Sequence, residues 1–192
     1  MDSTKWLSKI WQTDDYRQSK RVSFDLINSF LNREPRCILD IGCGLAFESE
    51  WFQQEYNSDL YLLDGDFDQT VDHARDRKYG TADTMRFYTK VSDLHQSFQD
   101  RGMRYSFVDA HDIDIPEGLK FDLIYSNVSC GYHYPLATYL DVIRQHSDEH
   151  TVMIFDLHQA YVEEQVANNF KIVEYKPYPE QKKIAKYRLQ LL

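Results

Sequence analysis

Apolar residues recur along this chain in two rhythms, and their order lays out an architecture. Trp6, Leu7, Ile10 and Trp11, and then Val22, Phe24, Leu26, Ile27, Phe30 and Leu31, fall at the three- and four-residue spacing of amphipathic helices over residues 1–12 and 16–31. An alternating segment that stops on an acid lies at 104–109, and short, nearly continuous apolar runs lie at 37–41, 60–64, 121–127 and 151–157. Such runs predict strands covered on both faces of a parallel sheet. Helical patterns separate them at 47–56, at 135–145 starting on a proline that a first turn tolerates, and at 160–168. The segment 66–102 is polar, and only its part at 84–101 reads as helical. A closing pair of strands is predicted at 170–175 and 185–191, with Pro177 and Pro179 in the loop between them. The expectation is one α/β domain over residues 1–192: a doubly wound, mostly parallel seven-stranded sheet preceded by N-terminal helices, without repeats or low-complexity tracts.

The first strand runs directly into chemistry. Cys37-Ile-Leu-Asp40-Ile-Gly42-Cys43-Gly44-Leu-Ala46 places an acid and two glycines where a parallel strand turns into a helix. Glycines let the backbone turn tightly against a ligand, and the helix that follows points its positive end at it. A dinucleotide fingerprint laid on Gly42 and Gly44 needs a small residue at position 47, where Phe47 stands, so a nicotinamide-dependent enzyme is disfavoured. Three later strand ends also carry polar groups. Asp64 ends the second strand 20 residues after Gly44, Asp109 ends the third, and Ser126 with Asn127 ends the fourth. Open α/β sheets bind ligands at the carboxyl ends of their strands.

Read as D-x-G-x-G-x-G with Ala46 in place of the last glycine, the turn resembles motif I of the class I S-adenosylmethionine (SAM) methyltransferases. The segments ending in Asp64, Asp109 and Asn127 resemble the following strands of that family in order. The resemblance implies SAM as cofactor and S-adenosylhomocysteine (SAH) as product. Under it Asp40, Gly42, Cys43 and Gly44 hold the methionine part. Asp64 holds the ribose with Gly65 and Asp66 alongside, Asp109 and the Ala110 backbone hold the adenine, and Ser126 and Asn127 complete the cofactor side. It also implies that residues 1–33 form a helical cover, with Trp6, Trp11 and Tyr16 as lid residues or simply as a packed face.

After the fourth strand the family places its substrate groups, here Ser126-Asn-Val-Ser129-Cys-Gly-Tyr132-His133-Tyr134-Pro135. This departs from the N/D-P-P-Y/F run of enzymes that methylate amino groups of nucleic acid bases or of protein glutamine. It is similar to a run in small methyltransferases associated with sugars and other hydroxylated compounds. His133 is the candidate general base, because imidazole titrates near neutral pH, and Tyr132 is a candidate wall for the acceptor. A structural His133 held in a loop is the competing reading, and His158 is the second candidate base.

Charge and cysteines narrow the partners. With 31 acids against 22 bases the formal net charge is -9, which repels phosphate backbones and leaves a small molecule as the expected substrate. Cys37, Cys43 and Cys130 have no zinc or disulfide spacing. Asp109, His111, Asp156 and His158 lack a ligand spacing as well, so no metal is expected. No apolar run reaches the ~18 residues of a membrane span, and the first thirty residues carry no apolar signal core, so the expectation is a soluble cytoplasmic protein. The sequence leaves two activities open: methyl transfer to a small acceptor, at a hydroxyl oxygen, or SAM binding without catalysis by a partner or regulatory protein. It sets neither the oligomeric state nor the acceptor.

Overall fold

The computed structural model describes residues 13–66, 87, 89–179 and 181–192; the helix expected at 1–12 and the beginning of the helical pattern at 84–101 lie outside the described residues. The elements in chain order are α1 (Asp14–Asn28), β1 (Cys37–Ile41), α2 (Phe47–Tyr56), β2 (Asp59–Asp64), α3 (Val91–Asp100), β3 (Tyr105–Asp109), β4 (Leu123–Ser126), α4 (Leu140–His146), β5 (Val152–His158), α5 (Val162–Val166), β6 (Phe170–Pro177) and β7 (Ile184–Leu191). A 3-10 turn over Leu136–Tyr139 precedes α4.

The strands form one seven-stranded sheet in the order β3-β2-β1-β4-β5-β7-β6. β1 to β5 run parallel, and β7 runs antiparallel to both β5 and β6. The doubly wound, mostly parallel sheet expected from the hydrophobic pattern is therefore the observed fold. Strand order reverses between β1 and β4, and that switch point is where open α/β sheets leave a crevice for ligands.

Alternation along each strand divides the core between two faces. Ile38, Leu60, Leu62, Leu123 and Ile154 pack with Phe24 and Ile27 of α1, Phe52 of α2 and Leu94 and Phe98 of α3. Leu39, Ile41, Leu63, Ile124, Phe155 and Leu157 pack on the other face with Leu136, Tyr139, Ile143 and Val166. Burying a large apolar side chain is worth about 1.5–3 kcal/mol, so both layers are firmly held. α1 starts on Thr13, whose hydroxyl accepts the Tyr16 N–H at 3.2 Å, with Asp14 and Asp15 favouring the helix's positive end. Arg101 ties the end of α3 to α2: its guanidinium donates to Glu50 at 2.6 Å and lies 4.8 Å from the centre of the Phe47 ring.

Two expected helices are shorter than their patterns. The stretch at 135–145 is broken at Tyr139, whose backbone (φ −117°, ψ 21°) leaves the helical region, so a 3-10 turn comes first and α4 second. The pattern at 160–168 yields only five residues of helix, because Tyr161 (φ −125°, ψ 6°) delays its start. Among the described residues no helix is long and apolar enough to cross a membrane.

Candidate cofactor and acceptor site

The glycine turn is built by the strand beside it. Gly42 and Cys43 both donate backbone N–H groups to the Leu63 carbonyl, at 2.7 and 3.1 Å, so the turn stays pinned to the end of β2. Gly42 and Gly44 have φ of +73° and +48°, a region that disfavours other residues. A side chain at Gly42 would overlap Ser129 and approach Tyr134, whereas one at Gly44 would meet nothing within 4 Å. The turn is thus closed on one side by the loop after β4 and open at Gly44.

Asp64 caps this opening. Its Oδ2 accepts the Gly44 N–H at 2.7 Å and its Oδ1 accepts the Gly65 N–H at 2.8 Å. Burial raises its pKa to about 6, although both backbone donors pull it down. The Cys43 thiol lies 3.9 Å from the same carboxylate, and burial together with Asp64 pushes its pKa well up, so it stays protonated. A protonated thiol is a poor nucleophile, and this Cys43 is a wall of the turn. Asp109 stands beside Asp64 in the β2–β3 register and holds its own turn by accepting the His111 N–H at 2.9 Å. The Ala110 N–H donates to the Asp64 carbonyl at 2.9 Å, and Asp66 follows half-buried after Gly65. The Phe87 ring lies against Gly65, where a side chain would overlap it, and meets His111 edge-on with ring centres 5.6 Å apart.

Asp40 turns inward. On the face covered by α1 and α2, its Oδ2 accepts from Ser49 Oγ at 2.8 Å and from Tyr125 OH at 2.7 Å. Burial, helped by Glu48 and opposed by those two bonds, lifts its pKa to about 7. Ser126 is fully buried, and its hydroxyl braces the loop by donating to the Ile41 carbonyl at 2.7 Å while accepting the Cys130 N–H at 2.8 Å.

The loop after β4 brings Ser129 and Tyr134 to the turn and Asn127 to Glu48 in the first turn of α2. Ser129 Oγ and Tyr134 OH lie 2.9 Å apart against Gly42. Val128 sits at φ +53°, a strained conformation for a β-branched residue, and its N–H donates to Asp156 at 3.0 Å. His133 and Tyr132 form the tip of the turn, with rings 4.8 Å apart edge to face and with N–H groups donated to the Ser129 carbonyl at 2.7 and 3.1 Å respectively. His158, the second candidate base, is half-buried against Tyr161. Among the described residues no three His, Cys, Asp or Glu side chains are gathered as a metal site would need.

Sequence reasoning missed a polar network that runs from Asn127 across the sheet. Lys186 and Asp156, a cross-strand pair of β7 and β5, are both fully buried, and Lys186 Nζ lies 3.0 and 3.1 Å from the two carboxylate oxygens. Burial pulls the Lys186 pKa below the ordinary lysine value against the opposing pull of Asp156. Tyr178 OH lies 2.9 and 3.1 Å from the same carboxylate, and Lys186 reaches Asn127 Oδ1 at 3.2 Å. Ser23 of α1 donates to that oxygen at 2.9 Å, while Asn127 Nδ2 donates to Glu48. Glu48 in turn pairs with Lys20 of α1 at 3.5 Å. α1 is thus packed into the core through Phe24 and Ile27 and also supplies polar groups to the end of β4.

No family model matches the sequence, and neither does any curated protein. Solved structures do match in shape. A protein from Pyrococcus horikoshii OT3 superimposes with a TM-score of 0.66 at 10% identity, over 94% of this chain and 93% of that one. A methyltransferase from Pyrococcus furiosus gives 0.59 at 12% identity, over 90% and 81% of the two chains. The 1,6-didemethyltoxoflavin-N1-methyltransferase of Burkholderia thailandensis, crystallised with 1,6-didemethyltoxoflavin and SAH, gives 0.62 at 16% identity, over 98% and 83%. With the strand order and the glycine turn already in view, these likenesses give the chain the fold of the class I SAM-dependent methyltransferases.

Proposed function

We propose that this protein is a SAM-dependent methyltransferase whose acceptor is a small molecule, methylated at a hydroxyl oxygen. One observation carries the reading: at the sheet's switch point the Gly42–Gly44 turn, capped by Asp64 and open at Gly44, meets the polar loop that follows β4. The residues present suit the cofactor. Gly42, Cys43 and Gly44 surround its methionyl part, with Asp40 behind the turn supporting it from the helix side, Ser126 bracing and Asn127 lining the same side. Asp64 takes the ribose hydroxyls beside Gly65 and Asp66, and Asp109 with the Ala110 backbone takes the adenine.

Bound there, the cofactor supplies an electrophilic methyl group on a sulfonium sulfur. The chain's task is then to bring an acceptor oxygen in line with that methyl, and positioning alone removes much of the barrier. As the new carbon–oxygen bond forms, the sulfur–carbon bond breaks and its electron pair returns to sulfur. The acceptor's proton passes to His133, and Tyr132 stacks against the acceptor. The net charge of -9 supports a small acceptor over a nucleic acid.

Calorimetry with SAM and SAH tests the cofactor. Binding should weaken about 10- to 100-fold in Asp64→Ala, which loses charge-assisted bonds to the ribose. Absence of binding to the wild-type protein overturns the reading. A panel of hydroxylated acceptors then tests the chemistry: His133→Gln should retain SAH binding and lose turnover, and full turnover in that variant would remove His133 as the base.

A further inference from the structure

The buried residues of α5 are Gln165 and Val166, and a glutamine in such a place needs partners for its amide. It finds them in the loop after β4. Gln165 Nε2 donates to the Gly131 carbonyl at 2.7 Å, and its Oε1 accepts the Leu136 N–H at 3.2 Å. One planar group thus ties the two ends of a short loop whose intervening residues are Tyr132, His133, Tyr134 and Pro135. A carboxamide offers a donor and an acceptor side by side, as a carbonyl and an N–H together require. Glutamate would set an oxygen against the Gly131 carbonyl, and an apolar residue would leave both backbone groups without this partner. The loop is closed from inside as well, since the Gly131 N–H donates to the Tyr134 carbonyl at 2.7 Å. Gly131 itself has φ +86°, and a side chain there would overlap Leu157. Tyr134 then carries the loop to the glycine turn, where its hydroxyl meets Ser129 against Gly42.

We propose that Gln165 is a positioning residue of the acceptor site, whose amide clamps both ends of the loop carrying Tyr132, His133 and Tyr134 and so sets the base relative to the Gly42 turn. The inference rests on the methyltransferase reading above and adds a residue to it that touches neither cofactor nor acceptor. Its effect falls on turnover, because a misplacement of about 1 Å in a reacting group costs about 100-fold. The cofactor side is held separately, by the bonds of the turn to Leu63 and Asp64.

The test compares the wild-type protein with Gln165→Met, which keeps the length of the side chain and loses both bonds, and with Gln165→Glu, which keeps only the acceptor for Leu136. Melting curves establish that each variant is folded. Amide hydrogen exchange in the presence of SAH reads the clamp directly: exchange at Leu136 should quicken at least tenfold in Gln165→Met, with Gln165→Glu between it and the wild type, while β4 and β5 keep their protection. Calorimetry should find SAH affinity within about threefold of the wild type in both variants. With an acceptor from the hydroxylated panel, kcat should fall about 10- to 100-fold while KM for SAM stays within about threefold. Unchanged exchange at Leu136 in folded Gln165→Met, or unchanged kcat in spite of quickened exchange, overturns the assignment. If the wild type binds neither SAM nor SAH, the cofactor reading fails and the catalytic role of Gln165 falls with it, whereas the exchange result separately decides whether Gln165 holds the loop.

Discussion

Replacing Lys186 by Met isolates the energetics of the buried pair. The lysine makes three close contacts, to both Asp156 oxygens and to Asn127, and neither charged side chain has any exposed surface. Deleting the cation leaves a carboxylate with only the Tyr178 hydroxyl and the Val128 N–H for partners. Removing one member of such a pair costs about 3–5 kcal/mol. In a chain of 192 residues each kcal/mol moves the melting temperature by about 2–4 °C, so Lys186→Met should melt roughly 10 °C lower. The double variant Lys186→Met, Asp156→Leu removes both charges and should recover part of the loss. It stops short of full recovery because the Val128 N–H then lacks its acceptor, a deficit of about 1–3 kcal/mol. Thermal melts followed by circular dichroism at low and high salt measure all three proteins, and burial predicts that the loss is insensitive to salt. If Lys186→Met melts within ~2 °C of the wild type, or if single and double variants melt alike, the pair is not the desolvated ion pair on which this reasoning depends.

Three further outcomes follow from local geometry. Val128→Gly releases a β-branched residue from φ +53°; after the added unfolded-chain entropy it should raise stability by about 1 kcal/mol, and a lower melting temperature would count against backbone strain at this turn. Gly42→Ala drives a methyl into Ser129 and puts alanine at φ +73°, so SAH affinity should fall at least tenfold by calorimetry, whereas unchanged affinity would detach the turn from the cofactor site. Asp40 and Asp64, raised to about 7 and about 6, bind protons in the folded state that the unfolded chain has already released above its ordinary carboxylate pKa of 3.8. Their contribution is therefore complete below about pH 4 and is lost as pH rises to about 7, so ligand-free protein should melt lower at pH 8 than at pH 5.5. Asp40→Asn should flatten that slope, and a melting temperature that climbs from pH 5.5 to pH 8 in the wild type would contradict the assignment.

The divide between what the sequence discloses and what it hides follows from how each feature is encoded. Parallel strands are continuous apolar runs, so β1, β2 and β5 can be read directly, and the fold follows from their order. Asp40, Gly42, Gly44 and Asp64 stand at fixed offsets from strand ends, which is why a linear pattern finds them. Asp156 and Lys186 have no such offset. They are 30 residues apart and meet only because β7 inserts antiparallel beside β5, a pairing that depends on the whole sheet. Each also reads locally as something ordinary: Lys186 as the outward residue of an alternating strand, and Asp156 as one more acid near a strand end. Tyr178 is hidden for a different reason, since it stands between two prolines in a stretch that reads only as a connecting loop, and its partner Ser23 lies 155 residues away in α1. Asp40 shows a third kind of gap, because its position was legible and its environment was not: the Ser49 and Tyr125 hydroxyls that engage it come from α2 and β4, and they turn the motif's acid toward the helices. Residues on one βα turn are thus written in local spacing. The buried polar network, gathered from α1, β4, β5, β7 and the loop before β7, is written in topology, because only the finished sheet brings its members together.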